Sequence, residues 1–144
     1  MCPDEADWKI IEIMRKGREH YNTIAKKLNV SEGMVRQRVR RLKEANILIE
    51  RALINPDVLD NQLVALVAVN ISVSRLLEEK AREISELENV LSVSITSGRY
   101  DLLVEVLVDS NKGLVHFITE ELSRVEGIAK TECFLLLKSY GKYV

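Results

Sequence analysis

The sequence predicts an α+β protein with a helix-turn-helix domain over residues 1–54, a linker at 55–61 and a ferredoxin-like βαββαβ domain over residues 62–144. Three observations predict this division. Apolar side chains recur at helical spacing in the first half of the chain. In the second half, β-branched runs alternate with helical stripes in the order β-α-β-β-α-β. The halves also differ in charge, since residues 1–51 carry 12 Lys and Arg against 8 Asp and Glu, and residues 52–144 carry 9 against 14. We therefore expect the basic half to meet a polyanion.

Three short helices are predicted in the basic half. The first runs from Asp7 to Arg15, and Gly17 follows as a stop signal. The second carries an apolar stripe formed by Tyr21, Ile24, Ala25 and Leu28. Ser31 is a good N-cap for the third helix, which should end at Ala45-Asn46. The β-prone stretch from Ile47 to Ile54 is predicted to form a wing or a connecting ribbon.

The predicted third helix has a residue pattern that indicates function. Val35, Val39 and Leu42 should face inward, while the opposite side holds cations and a glutamine and has no acid. The candidate DNA-binding residues are Ser31, Gly33, Arg36, Gln37, Arg38, Arg40 and Arg41. A helix in the major groove needs cations for phosphates and bidentate groups for base edges, and a glycine lets it approach closely. A solvated basic face would show the same pattern, but the preceding helix and turn favour double-stranded DNA as the partner.

The acidic half is predicted to hold a four-stranded sheet with two helices on one face. The strands are expected at 62–73, 90–96, 101–108 and 128–138, and the helices at 75–87 and about 112–125. The second face of such a sheet should be polar where it meets water. Here both sides of the strands are apolar. On the first strand Leu63, Ala65, Val67, Val69 and Ile71 point one way and Val64, Leu66 and Ala68 the other, and on the last strand Cys133, Leu135 and Leu137 oppose Phe134 and Leu136. This apolar second face indicates a homodimer formed through the two sheets.

Several classes of function are excluded by the sequence. It holds neither an apolar run long enough to span a membrane nor a signal peptide, so we expect a cytoplasmic protein. Cys2 and Cys133 lie far apart and read as free thiols. The two histidines have no cysteine nearby, so neither a metal nor a cofactor is expected. Catalysis is disfavoured because the chain shows no activated nucleophile or acid-base pair.

Taken together, these motifs resemble the Lrp/AsnC family of feast/famine regulators over nearly the whole chain. The resemblance rests on Asp7-x-x-Ile10-Ile11, on Ile24-Ala25-x-x-Leu28-x-Val30-Ser31, on Val35-Arg36-x-Arg38-Val39-x-x-Leu42 and on Gly98-Arg99-Tyr100-Asp101. It implies a winged helix-turn-helix followed by the regulatory ferredoxin-like domain of this family, called the RAM domain. It also implies dimers that often assemble into octamers, and an amino-acid effector bound beside the Gly-x-Tyr-Asp loop.

The resemblance places four residues at the effector, namely Gly98, Arg99, Tyr100 and Asp101. A glycine turn exposes backbone N–H groups to a carboxylate, and Asp101 could meet an ammonium group. Gly98 could equally serve only the hairpin turn, and Tyr100 only packing. Arg99 departs from the small or acidic residue common at this position of the family, and we expect it to favour an anionic effector. The alternative to a sequence-specific regulator is an architectural protein that coats DNA and has no effector.

Overall fold

The structure is a computed structural model that describes all residues, 1–144. The chain divides into two compact units, Met1–Ala52 and Leu53–Val144. The helices and sheet confirm the predicted fold class. No helix has the length and apolar character that crossing a membrane requires.

The first unit is built from three helices, α1 (Glu5–Arg15), α2 (Tyr21–Leu28) and α3 (Glu32–Glu44). Helix α1 begins earlier than the sequence predicted because Asp4 and Asp7 form a capping box. The Asp7 N–H donates to the Asp4 side chain at 2.9 Å, and the Asp4 N–H donates to the Asp7 side chain at 3.0 Å. Five buried side chains from the three helices form the core, namely Ile10, Ile24, Ala25, Val35 and Val39.

Ser31 and Asn46 bound α3 as predicted, and Asn29, which the sequence pattern did not single out as a cap, ends α2. Asn29, with φ 54°, ends α2 in the left-handed conformation, and the Ser31 hydroxyl caps α3 by accepting from the Met34 N–H at 3.2 Å. Asn46, also with φ 54°, turns the chain after α3. The β-prone stretch that follows forms no strand, which differs from the expectation. Leu48 packs against the helical core, so burial of a side chain positions part of this segment without strand pairing.

The second unit has four antiparallel strands, β1 (Leu63–Ile71), β2 (Val90–Ile95), β3 (Leu102–Val108) and β4 (Ile128–Leu135). They lie in the order β2-β3-β1-β4. In the centre of the sheet Val67 pairs with Val104 on β3 and with Cys133 on β4. This order places the first and third strands centrally, as in a ferredoxin-like βαββαβ unit.

Two helical segments cover one face of this sheet. Helix α4 spans Leu77–Ser85, and α5 spans Asn111–His116 and continues as one π-helical turn and a 3-10 turn to Arg124. The sequence predicted one regular helix over the second segment. Its change of form coincides with side chains that bond to the backbone one turn earlier, Thr119 to the Val115 carbonyl and Ser123 to the Thr119 carbonyl. Ile84, Phe117 and Leu122 pack from these segments onto the valines of β1 and β3.

The other face of the sheet carries apolar side chains that are only partly covered, including Leu66, Leu103 and Leu107, and Phe134 is 44% exposed. Glu105 interrupts this surface. Its carboxylate accepts from Lys142 Nζ at 2.7 Å, and the Val144 and Ile54 backbones exchange two hydrogen bonds. The C-terminal tail of the chain therefore reaches this face and neutralises its one central carboxylate, which the sequence analysis did not anticipate.

Candidate nucleic-acid interface and ligand loop

Helix α3 turns its apolar and its basic sides in opposite directions. Val35, Val39 and Leu42 are fully buried, at 1% exposure or less. The residues on the other side are exposed, namely Gly33, Arg36, Gln37, Arg40 and Arg41. Since a helix repeats every 3.6 residues, the buried set fixes the roll of α3 and points the basic set at solvent.

The expectation that this outward side has no acid is wrong. Arg36 pairs with Glu32 at 2.5 Å, and Arg40 lies 3.7 Å from Glu44. The acids lie one turn before and one turn after these arginines, positions that an i, i+4 spacing brings together on a helix surface. Exposed pairs of this kind contribute only about 0.3–0.5 kcal/mol each. A phosphate group can therefore replace either carboxylate at small cost.

Gly33 and Gln37 are available for a partner. A Cβ placed on Gly33 would meet no atom within 4 Å, so the fold itself does not require glycine there. Gln37 is exposed and its amide group makes no hydrogen bond within the chain. An unpaired amide on an exposed helix face retains all of its donors and acceptors for a base edge.

Arg38 and Arg41 belong to an ion cluster that the sequence analysis missed. Arg38 Nη1 donates to Asp7 at 2.8 Å and to both Asp4 oxygens at 2.8 and 2.7 Å. Arg41 Nη2 donates to Asp7 at 3.1 Å. The Asp7 side chain is fully buried. Hydrogen bonding to Arg38 holds the pKa of the Asp4 carboxyl below its ordinary value of 3.8 and raises the pKa of the Arg38 guanidinium.

The loop between β2 and β3 contains the four residues suggested for the effector. Gly98 and Arg99 are exposed, while Tyr100 and Asp101 are partly buried. A Cβ on Gly98 would meet no atom within 4 Å, and its φ lies outside the left-handed region. The turn therefore does not depend on glycine, and the side of Gly98 where a Cβ would lie is open to solvent.

Asp101 is held by β1. Its Oδ2 accepts from the Ile71 N–H at 2.8 Å, where β1 has a bulge, and its own N–H donates to the Val69 carbonyl at 3.0 Å. Asn70 Nδ2 donates to the Arg99 carbonyl at 3.0 Å. These bonds anchor the loop and use one carboxylate oxygen of Asp101, so the structure gives this residue a role in fixing the loop conformation that the sequence analysis did not foresee.

Two family models match the chain, one described as winged helix-turn-helix DNA-binding over residues 3–49 and one described as Lrp/AsnC ligand binding domain over residues 64–143. An HTH-type transcriptional regulator of Pyrococcus furiosus is 34% identical over 142 residues, covering 96% of this chain and 95% of that protein. The HTH-type transcriptional regulator LysM of Saccharolobus solfataricus is 32% identical over 138 residues, covering 95% of both proteins.

Solved structures share the fold. The feast or famine regulatory protein of M. tuberculosis, complexed with L-methionine, superposes with a TM-score of 0.73 at 22% identity, covering 96% of this chain and 95% of that one. A transcriptional regulator of Neisseria meningitidis, also in complex with L-Met, gives a TM-score of 0.72 at 22% identity, covering 99% and 94%. Each superposition covers almost all residues of the chain and therefore includes both of its units.

Proposed function

Because this chain belongs to the Lrp/AsnC family of DNA-binding transcriptional regulators, we propose that it recognises a specific operator as a dimer or higher oligomer whose affinity for DNA is modulated by a small amino-acid-like molecule. Its relatives are regulators, and the chain is not an enzyme. The observation that carries the operator proposal is the exposed basic side of α3, with Gln37 unpaired between arginines. A cytoplasmic location, where such DNA is found, is part of the proposal.

Each exposed residue of α3 has a distinct role in this proposal. Arg36 and Gln37 read base edges near the start of the helix, while Arg40 and Arg41 bind phosphates. Gly33 brings the helix backbone close to the DNA, and Ser31 caps the helix end that enters the groove. The weak pairs of Arg36 with Glu32 and of Arg40 with Glu44 orient both guanidinium groups until a base edge replaces the carboxylate at Arg36 and a phosphate replaces the one at Arg40.

Selection from a random-sequence DNA pool tests this proposal. We expect a defined operator with two half-sites about one helical turn apart, because a two-fold dimer presents two copies of α3. We also expect affinity for it to exceed affinity for unrelated duplex by about 10³-fold or more at one fixed salt concentration. A ratio near one would contradict sequence-specific regulation and favour the architectural alternative.

The proposed dimer forms through the open face of the sheet. Leu66, Leu103 and Phe134 present apolar surface there, and the tail neutralises the Glu105 charge beside them. A second copy of the same face would bury this surface symmetrically. We expect Phe134→Glu to shift the native mass from a dimer, or from an octamer built of dimers, toward the monomer. A change of the exposed Arg82 to Glu on α4 is the matched control and should leave the mass of the assembly unchanged.

The proposed effector binds beside the loop at 97–101. Support comes from the match to a ligand-binding domain and from the L-methionine complexes of two structural neighbours. Gly98 and Tyr100 border the ligand, the exposed Arg99 attracts an anionic side chain, and Asp101 faces an ammonium group with the oxygen that β1 does not use.

Calorimetric titration with a panel of amino acids tests the effector, using wild type and Arg99→Ala. We expect the variant to lose affinity for acidic ligands more than for methionine, because only the former would pair with a guanidinium. Equal affinities of the two proteins for every ligand would remove Arg99 from the site.

A further inference from the structure

Arg38 differs from the other arginines of α3 in what surrounds it. Its side chain is 22% exposed, against 65% for Arg36 and 73% for Arg40. Three carboxylate oxygens of Asp4 and Asp7 accept from one of its terminal nitrogens at 2.7–2.8 Å. Arg36 and Arg40 each pair with one exposed acid on their own helix, and Arg36 also lies over the Tyr21 ring of α2, 5.4 Å from its centroid. Arg38 is instead bonded across the interface between α3 and α1.

Asp7 links Arg38 to Arg41. Its buried carboxylate accepts from both guanidinium groups, and it also accepts from the Asp4 N–H inside the capping box of α1. Arg41 remains 51% exposed and gives Asp7 only one terminal nitrogen. Its other terminal nitrogen and its Nε retain their donors for an outside acceptor. The two arginines thus share one buried anion, but only Arg41 projects substantially into solvent.

We propose that Arg38 and Asp7 are positioning residues of the DNA-binding surface: Arg38 braces α3 against α1 without contacting DNA, and Asp7 aims Arg41 at the phosphate backbone. This inference rests on the proposed docking of α3 on DNA. Arg38 and Arg41 each donate through one terminal nitrogen, so what separates them is exposure, 22% for the Arg38 side chain against 51% for Arg41. With so little of its side chain in solvent, Arg38 could reach a phosphate only by leaving Asp7, and removing a partner from a buried charge is destabilising. Arg41 can bind a phosphate while keeping its bond to Asp7.

The salt dependence of DNA affinity distinguishes a residue that contacts a phosphate from one that only positions α3. Each phosphate contact adds about 0.9 to the slope of log K against log salt. The probe is a fluorescent random-sequence duplex of about 30 base pairs, roughly three helical turns. We expect Arg41→Ala to lower the slope by about 0.9. Arg38→Ala should leave the slope unchanged, weaken binding several-fold at every salt concentration and lower the Tm. Arg82→Ala, an exposed arginine on α4, is the matched control for the loss of one positive charge.

Asp7→Asn tests whether Asp7 orients Arg41, because positioning and electrostatics predict opposite changes in DNA affinity. Removing an acid makes the surface more positive, so electrostatics alone would tighten binding. Loss of positioning predicts weaker binding, because Arg41 is no longer oriented by a buried anion.

Three results would overturn the inference. These are a slope for Arg38→Ala that falls as it does for Arg41→Ala, an Arg38→Ala protein with wild-type affinity and Tm, and an Asp7→Asn protein that binds DNA more tightly. If Arg38→Ala does not fold, Arg38→Gln takes its place, because its amide can still donate to Asp7. The slope of log K against log salt is then interpreted in the same way. A wild-type chain that ignores the duplex in dilute salt would instead refute the proposed docking itself.

Discussion

Replacing Gly33 with alanine separates what the fold requires from what DNA docking requires. The new Cβ would meet no atom within 4 Å, and the φ of Gly33 is not left-handed, so the folded chain accepts it without strain. Gly33 follows Glu32, the first residue of α3. Alanine is the better helix former by about 1 kcal/mol at most. A gain of that order raises the Tm by about 2–8 °C for domains of this size range.

The same methyl group would lie on the face that we propose enters the major groove. Adding a methyl at a closely packed contact costs about 1–3 kcal/mol, which corresponds to a Kd weakened by about 5- to 150-fold. The variant should therefore gain stability and lose affinity together. A mutation that acts by damaging the fold would lower both.

The assay is fluorescence anisotropy with the selected operator, paired with thermal unfolding followed by circular dichroism. Ser85→Ala, at the exposed end of α4, controls for an added alanine in the other unit and should leave the Kd unchanged. If Gly33→Ala raised the Tm and bound the operator as tightly as wild type, the first turn of α3 would not lie against DNA. The proposed orientation of the helix would then be wrong.

Further predictions concern single side chains of the same unit. Gln37→Ala and Arg36→Ala should each relax preference at one operator base pair by about 1–3 kcal/mol, measured by binding to operators substituted at single positions. Arg40→Ala should weaken binding to all sequences alike and lower the salt slope by about 0.9, measured by the same anisotropy titration. Because Arg38 depresses the pKa of Asp4 in the folded chain, Asp4 favours folding above its ordinary pKa of 3.8, and this contribution is lost as the pH falls through the lower, folded value. Asp4→Asn should remove that part of the acid sensitivity of the Tm, and an unchanged pH profile would contradict the pairing.

Local signals predicted most of the architecture. The cap at Ser31 and the inward positions of Val35 and Val39 appear as expected, because helical spacing and capping depend on residues a few positions apart. The approximate strand positions and the βαββαβ succession were also predicted, and such a succession allows few arrangements of the sheet. The stretch from Ile47 to Ile54 was misjudged, because β-branched residues favour strands only where a neighbouring strand is available.

The ion cluster could not be predicted from spacing. Arg38 and Asp7 are 31 positions apart, and Asp101 and Ile71 are 30 apart, so each pair meets only after the fold has formed. The spacing of Asp4 and Asp7 did contain a signal, since an acid three residues after an N-cap can complete a capping box. Recognising it would have placed Asp4 at the start of α1. It would not have revealed the arginines that bind the pair.

The most direct test is equilibrium binding of operator DNA at low ionic strength by the wild type and by a variant with Arg36, Arg40 and Arg41 all changed to alanine. These three side chains lie on the exposed side of α3, so the variant should keep the circular dichroism of the wild type. We predict tight, salt-sensitive binding by the wild type and almost none by the variant. Undiminished binding by the well-folded variant would contradict the claim that this side of α3 docks on DNA.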